Sequence, residues 1–315
     1  MSLIYAALDQ GNRLDWSSSG LVWGLMLSGV LLLVAFLIHE SRTRYPGVDL
    51  KVVFASPLPR LLLLIAFLRL TILSTAYAIP QFLQVVRGFR ALEVGQTLVW
   101  IAAPQLLVCL VAGYLLRRTD PRLIASVGFL CICGACLMVA YGLTPLWGTD
   151  QFLPSQLLQA VGQSFALSGT IFFAILHLKP QDALTFGAAT QIARLMGGEV
   201  GQAFITTFIR VREQVASNLL GLHVQVGDVQ TIQRLQTYAA ATARAGDPSS
   251  AAARGAAVLG NVVRSVATTQ GIIDGFIVIA ALTAVTLILI VTRRAAPPGP
   301  ATHVSPFAPR DTVQQ

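Results

Sequence analysis

Ionisable and amide side chains recur inside stretches of this sequence that are otherwise apolar. Arg69 lies in the run "AFLRLTILSTAYAIPQFLQ", and Ala76, Tyr77, Pro80 and Gln84 fall on nearly the same face of a helix. Polar groups in hydrocarbon are costly and usually face a partner or a water-filled cavity. The stripe therefore indicates a cavity wall. The alternative is that Arg69 extends its side chain towards the membrane surface.

A second polar stripe consists of amides. Gln156, Gln159 and Gln163 are spaced i, i+3 and i+7, and Thr170 continues the same helical face. Amides both donate and accept hydrogen bonds without carrying a fixed charge, which suits a substrate groove. The alternative is that these amides join one membrane helix to another.

A third stripe combines glycines, an amide and a charge. In "FGAATQIARLMGGEVGQAF", one helical face carries Gly187, Gln191, Arg194, Gly198 and Gly201. We predict that a helix with this face lines the same cavity as Arg69. The predicted substrate-binding set is Arg69, Tyr77, Gln81, Gln84, Gln156, Gln159, Gln163, Gln191 and Arg194.

Two pairs of glycines have the spacing that lets membrane helices approach closely. Gly197 with Gly201, and Gly271 with Gly275, are each four residues apart, so we predict close helix packing at both pairs. Glu199 lies beside the first pair on another face. It is a candidate proton carrier, and the alternatives are that it pairs with an arginine or lies near the external membrane surface.

The composition explains why these polar residues are conspicuous. The chain has 315 residues, of which 55% are hydrophobic and 11% charged, and its mean hydropathy is +0.69. Such a chain is expected to be a polytopic membrane protein. The net charge of +8 then reflects basic loops on one membrane side rather than nucleic-acid binding. The four cysteines lie in apolar runs, and no metal, cofactor or enzyme motif is found, so we expect a non-enzyme without cofactors.

A membrane-spanning helix needs about 20 mostly apolar residues. Seven runs meet this requirement, which predicts an all-α fold, although the sixth is the most polar. Their ranges are 20–39, 61–86, 95–116, 122–143, 152–176, 184–209 and 271–292.

The distribution of Lys and Arg predicts the orientation of these runs. Residue 1 is then external, and the predicted domains are an external segment with a first helix (1–40), a cytoplasmic basic loop (41–60), a six-helix bundle (61–292) with a long external loop (210–270), and a disordered cytoplasmic tail (293–315). The basic residues on the cytoplasmic side are Arg42, Arg44, Lys51, Arg60, Arg117, Arg118, Arg122, Lys179, Arg293 and Arg294.

Several blocks, in order, resemble one transporter family. "ALDQGNRLDWSSSG", "YPGVDLKVVFASP", "IPQFLQVVRGFRALEVGQTLVWIAAPQLL" and "RLMGGEVGQAFITTFIRVREQVASNLLG" resemble the EmrB/QacA drug:proton antiporters, the fourteen-helix branch of the major facilitator superfamily. The resemblance covers roughly residues 5–292. It implies two six-helix bundles joined by two linker helices, of which this chain holds the second linker helix and the C-terminal bundle.

The resemblance also implies a gate. "GYLLRRTDPRLIA" is similar to the superfamily's loop between the second and third helices of a bundle, but Arg117 stands where an aspartate is usual. The implied cytoplasmic gate residues are Gly113, Arg117, Arg118, Asp120 and Arg122, with a charge relay through Arg117, Arg118 and Asp120.

The implied function is export of amphiphilic toxic compounds from the bacterial inner membrane by proton antiport, together with an N-terminal bundle. That bundle could come from the same gene, a split chain or a second copy of this chain. The other expected partners are membrane lipid, a small amphiphilic substrate and a periplasmic adaptor protein, but not nucleic acid. The alternative function is a non-transporting membrane interaction protein or regulatory subunit.

Overall fold

The computed structural model describes residues 1–16, 18–43, 50–54, 58–176, 183–222, 229–243 and 251–292. All regular structure in these ranges is α-helix, which confirms the predicted all-α class. The helices are α1 (Ser2–Gly11), α2 (Gly20–Arg42), α3 (Leu50–Phe54), α4 (Leu58–Val85), α5 (Ala91–Leu116), α6 (Pro121–Gly142), α7 (Thr149–Leu176), α8 (Ala183–Leu222), α9 (Val229–Ala243) and α10 (Ala251–Val291).

Each of the seven predicted runs lies on one helix to within a residue. Six helices in the described part of the chain are long and apolar enough to cross a membrane, namely α2, α4, α5, α6, α7 and α10. The sixth predicted run lies on α8, which is not among them because its amides, glycines and charged residues reduce its hydropathy. By length and composition, the structure therefore contains six spans where the sequence predicts seven.

The last two spanning runs belong to helices much longer than predicted. The segment 210–270 was expected to be a long external loop, but its described residues are mostly helical: α8 continues to Leu222, α9 follows, and α10 already begins at Ala251. With 40 and 41 residues, α8 and α10 are each about 60 Å long, roughly twice the hydrocarbon thickness. Hydropathy detects the lipid-solvated part of a helix and misses its polar continuation.

Local sequence accounts for two of the helix boundaries. Asp120 caps α6, because its carboxylate accepts a hydrogen bond from the backbone N–H of Arg122 at 2.9 Å, and Pro121 occupies the first turn. After α4 the chain turns through Gly88, whose φ of +69° suits a residue without a Cβ. The Phe89 N–H then donates to the carbonyl of Leu83 at 2.9 Å, so this turn ends α4 sharply.

Helices α4 to α8 and α10 form one bundle. The most extensive contacts join α6 to α7, α4 to α8, α5 to α7, α6 to α10 and α8 to α10. The core includes the fully buried rings of Phe82, Phe129, Phe152 and Phe276. Helix α1 packs against α2 and α8 at the edge of this bundle. The predicted cytoplasmic tail, residues 293–315, lies outside the described residues.

Candidate functional site

The polar stripe of α4 passes from the bundle interior to its surface. Arg69 and Tyr77 are half-buried, and the Tyr77 ring packs against the core. Gln81 is half-buried, and its side-chain oxygen accepts no hydrogen bond from the described residues. Gln84, near the end of the helix, is exposed. The stripe therefore does not make a closed pocket by itself and presents open polar groups along one side of α4.

The amide stripe of α7 lies inside the bundle. The Gln159 amide donates to the Thr75 hydroxyl of α4 at 2.9 Å, and the Gln105 amide of α5 donates to the Gln163 side-chain oxygen at 2.9 Å. Gln159 and Gln163 are 4% and 9% exposed. In this conformation the two amides join α7 to its neighbours, as in the alternative interpretation of the sequence.

Gln156 lies beside a very small cavity with a mostly apolar lining. It is 1% exposed, and its side-chain oxygen accepts no hydrogen bond from the described residues. Thr75, Ser155, Gln156 and Gln159 are among the residues lining this cavity, whose volume is about 10 Å³. That space holds about one water molecule and is too small for a drug-sized compound.

The polar stripes of α4 and α8 each carry an arginine, and these two helices pack against each other. The Arg69 and Arg194 guanidinium groups are near enough to repel one another. Arg194 also donates from Nη1 to the side-chain oxygen of Gln191 at 3.1 Å, and Gln191 is exposed. Arg194 and Gln191 are therefore in contact on α8, and Arg69 lies on the neighbouring helix α4.

Glycines allow α8 to approach α4 at backbone distance. A Cβ added at Gly197 would lie 2.5 Å from the carbonyl oxygen of Ala66, and one added at Gly201 would lie 2.6 Å from the Leu70 Cα. At the α8–α10 contact, a Cβ at Gly271 would lie 3.0 Å from the Ile209 carbonyl oxygen. Substitution would thus force these helices apart.

Glu199 faces α1 rather than the arginines. The Tyr5 hydroxyl and the Asp9 carboxylate of α1 both lie near the Glu199 carboxylate, and the Asp9 charge repels it. The α1 segment is also attached further along α8: Trp16 donates from Nε1 to the Thr207 hydroxyl at 3.0 Å, and Asp15 pairs with Arg210 at 3.2 Å. Glu199 is therefore half-buried beside the N-terminal helix.

The predicted gate residues surround the turn between α5 and α6. Arg117 and Gly113 are exposed, and the Arg118 guanidinium lies 4.8 Å from the centre of the Tyr114 ring. The Asp120 carboxylate caps α6 rather than bridging the two arginines in this conformation. The backbone N–H of Arg122 donates the hydrogen bond that the Asp120 carboxylate accepts.

Several contacts involve residues that sequence reasoning did not select. Arg212 of α8 donates from Nε to the Asp274 carboxylate of α10 at 2.6 Å, and the Thr268 hydroxyl donates to Glu213 at 3.1 Å. These bonds fasten α8 to α10 on both sides of Gly271. The opposite charges of Arg212 and Asp274 are visible in the sequence. The predicted external loop 210–270 separates them, however, so the sequence does not predict that they meet. Thr75 gave no signal, because threonine is common in apolar helices.

A metal site is not indicated within the described ranges, where no three His, Cys, Asp or Glu side chains cluster as potential ligands. Cys136 is buried in the core, and Cys109 is exposed.

The curated relatives of the chain include an efflux pump and an MFS-type transporter. It is 30% identical over 217 residues to the drug efflux pump JefA of Mycobacterium tuberculosis, a match that covers 66% of this chain and 41% of the pump. It is 21% identical to the fatty acid resistance protein FarB of Neisseria gonorrhoeae, over 69% of this chain and 43% of that protein. It is 23% identical to an MFS-type transporter, YhcA, of Bacillus subtilis, over 65% of this chain and 38% of that protein. The match thus spans about two fifths of each relative, and no protein-family model matches the chain.

The fold matches a solved transporter structure. A bacterial homologue of the human lysosomal transporter Spinster, crystallised in an inward-facing and occupied conformation, superposes with a TM-score of 0.54 at 18% identity. The superposition covers 92% of this chain and 65% of that one. The chain is therefore a multi-pass helical protein of the bacterial cell membrane with the fold of a major facilitator transporter, and transporters of that superfamily are among its relatives.

Proposed function

We propose that this chain forms the C-terminal bundle of an efflux transporter that exports amphiphilic compounds, in the manner of the EmrB/QacA antiporters that its sequence resembles. One observation carries the proposal: partly exposed charged and amide side chains, Arg69, Gln84, Gln191 and Arg194, lie on helices of a membrane bundle. Such groups are costly against lipid and are expected to face a wet cleft. The names of the drug efflux and resistance relatives also support an efflux function.

The cleft requires an opposing wall. Transport in this fold depends on two bundles that rock around a site at the membrane midplane. We propose that an N-terminal bundle supplies that wall, from the same gene, a split chain or a second copy of this chain. In the proposed orientation the cytoplasmic side carries the basic loops and the gate residues around Asp120.

The substrate-binding set becomes narrower within this proposal. Arg69, Tyr77, Gln81, Gln84, Gln191 and Arg194 are offered as groups that contact the substrate. Gln159 and Gln163 are offered instead as helix-joining amides, because both bond to neighbouring helices. Gln156 would hold a water molecule in its small cavity.

Proton exchange would use Glu199. The Asp9 carboxylate beside it favours uptake of one proton, because two neighbouring carboxylates repel one another when both are ionised, whereas the Tyr5 hydroxyl favours the ionised form. We further propose that the polar continuations of α8 and α10, with α9 beside them, form the external surface that meets a periplasmic adaptor.

The test is efflux of a fluorescent amphiphile from cells that lack their own pumps. We expect no efflux from this chain alone, efflux when an N-terminal bundle of the same family is co-expressed, and a substantial decrease with Arg69→Ala. Arg87→Ala, at an exposed position after α4, is the matched control and should preserve efflux.

Two outcomes would contradict the proposal. If neither the wild type nor Arg69→Ala changes efflux in any background, the chain is better explained as a regulatory subunit. If the chain alone exports the dye as a stable homodimer, a second copy supplies the opposing wall, and the expectation that this chain alone does not transport is wrong.

A further inference from the structure

An apolar groove runs along α8 beside the N-terminal segment. Its volume is about 580 Å³, within the range of roughly 300–1,000 Å³ that ligand sites occupy. One side is a face of α8 that extends from Val200 to Val211, and Leu8 of α1 and Trp16 form the other side. Val200, Phe204 and Val211 are 46%, 43% and 46% exposed, so the groove opens at the surface of the bundle.

The Trp16 ring is held in place by the residues around it. Its Nε1 donates to the Thr207 hydroxyl of α8 at 3.0 Å. Gly11 leaves room for the ring, because a Cβ at that position would lie 2.5 Å from it. Asp15 and Trp16 have φ angles of 55° and 24°, a left-handed conformation that persists only where the surrounding structure imposes it. The groove therefore has a defined wall on the N-terminal side.

The lining of the groove suits hydrocarbon. The rings of Phe204 and Phe208 are stacked, with their centroids 5.9 Å apart and their planes at 26°. The polar atoms of Trp16 and Thr207 are hydrogen-bonded to one another, and none of the described lining residues is charged. An occupant would gain free energy by burying apolar surface and would find no partner for a charge.

The length of the groove and the charges at one end match one leaflet of a bilayer. Beside that end, Asp15 pairs with Arg210 and Arg212 pairs with Asp274, and the exposed fractions of the Asp15 and Arg212 side chains are 72% and 46%. Exposed charges of this kind are expected at the level of the lipid head groups. From there the groove follows residues 200–211 of α8, a rise of about 16 Å. Half of the hydrocarbon core is about 15 Å thick, which is the depth that one acyl chain spans.

We propose that this groove binds one acyl chain of a membrane phospholipid, with the head group beside the Arg210–Asp15 pair. The chain packs between the Trp16 ring and the rings of Phe204 and Phe208. It is a resident lipid and not cargo, and it adds apolar contact where the N-terminal segment meets α8. The site needs only a bilayer, so it does not depend on the proposed transport function.

The test is photolabelling of the purified full chain in dodecyl maltoside, a detergent that removes loosely bound lipid. Phosphatidylcholine with a diazirine near the end of one acyl chain is added, and mass spectrometry locates the adducts after irradiation. We expect adducts on residues 200–211 and on Trp16. Val200→Trp should fill the groove and decrease these adducts about tenfold. Val127→Trp, the same change at a valine of α6 that is also 46% exposed, should leave them unchanged.

Equal labelling of the groove in Val200→Trp and Val127→Trp would overturn the site. A titration of the unmodified protein covers the case in which Val200→Trp does not fold. Adducts in the groove should saturate at one lipid per chain, whereas adducts at the exposed Leu130 of α6 should rise in proportion to the added lipid. A proportional rise at both places would refute a specific site.

A second lipid tests which part of the molecule is recognised. Phosphatidylglycerol with the same photoactivatable chain should label the groove as well as phosphatidylcholine does, because the lining residues carry no charge. Labelling by phosphatidylglycerol alone would mean that the head group determines binding, and it would contradict a groove that recognises the acyl chain.

Discussion

At the scale of single residues, the buried amides of α7 have a structural role. Gln159 reaches across to Thr75 on α4, and Gln163 accepts a hydrogen bond from Gln105 on α5. Hydrogen bonds between membrane helices contribute modestly to stability, because in the unfolded state within the membrane the same groups also find partners. The main effect of these hydrogen bonds is on specificity, because each bond favours one arrangement of the two helices that it joins.

We therefore expect Gln159 and Thr75 to be energetically coupled. In a double-mutant cycle with Gln159→Leu and Thr75→Val, the coupling should be about 0.6 kcal/mol, measured by reversible unfolding in mixed detergent. The control cycle pairs Thr75→Val with Gln163→Leu, whose partner is on another helix, and should be additive. Additivity in both cycles would show that Gln159 does not depend on Thr75.

The helical face that these amides share could be predicted from the sequence, but their hydrogen-bond partners could not. The spacing of Gln156, Gln159 and Gln163 places three amides on one face, and all three are buried. The spacing shows which side of the helix the amides occupy, but it does not show what that side contacts. Both a substrate groove and a contact with another helix are therefore compatible with the spacing. The partner Thr75 depends on how α4 and α7 cross, which is a property of the whole bundle.

At the scale of helices, the close contact of α4 with α8 positions the arginines. Gly197 and Gly201 remove side-chain volume where the two backbones meet. The spacing of these glycines was readable in the sequence, although it did not identify α4 as the neighbouring helix. The lengths of α8 and α10 were underestimated, because their outer parts contain many helix-forming residues that are too polar to register as membrane spans.

Gly197→Ala is expected to destabilise the protein by about 1–3 kcal/mol, because the new Cβ would overlap the Ala66 carbonyl oxygen. Gly187→Ala on the same helix is the matched control, since nothing lies within 4 Å of its Cβ position. It should be neutral or stabilising by up to about 1 kcal/mol. Thermal unfolding in detergent measures both. Equal midpoints for the two variants would mean that α4 and α8 are not in backbone contact.

At the scale of the whole molecule, different helices present different side chains at the bundle surface. The exposed side chains of α6 include Leu123 and Leu130, spaced by seven residues, as expected for a face that contacts lipid. The α4–α8 face carries Arg69, Gln191 and Arg194 instead. Hydropathy predicts the membrane-spanning helices, because a surface in lipid must be apolar. The side of the bundle that meets water depends instead on how the helices pack, which a single sequence does not specify.

The central claim is that the arginine face meets water and not lipid. In a variant without native cysteines, single cysteines introduced as Arg69→Cys, Arg194→Cys and Leu130→Cys would be treated in intact membranes with a water-soluble, membrane-impermeant thiol reagent. We predict rapid labelling at positions 69 and 194 from at least one membrane side, and negligible labelling at the lipid-facing control position 130. Labelling at positions 69 and 194 as slow as at position 130, from both sides, would contradict the account.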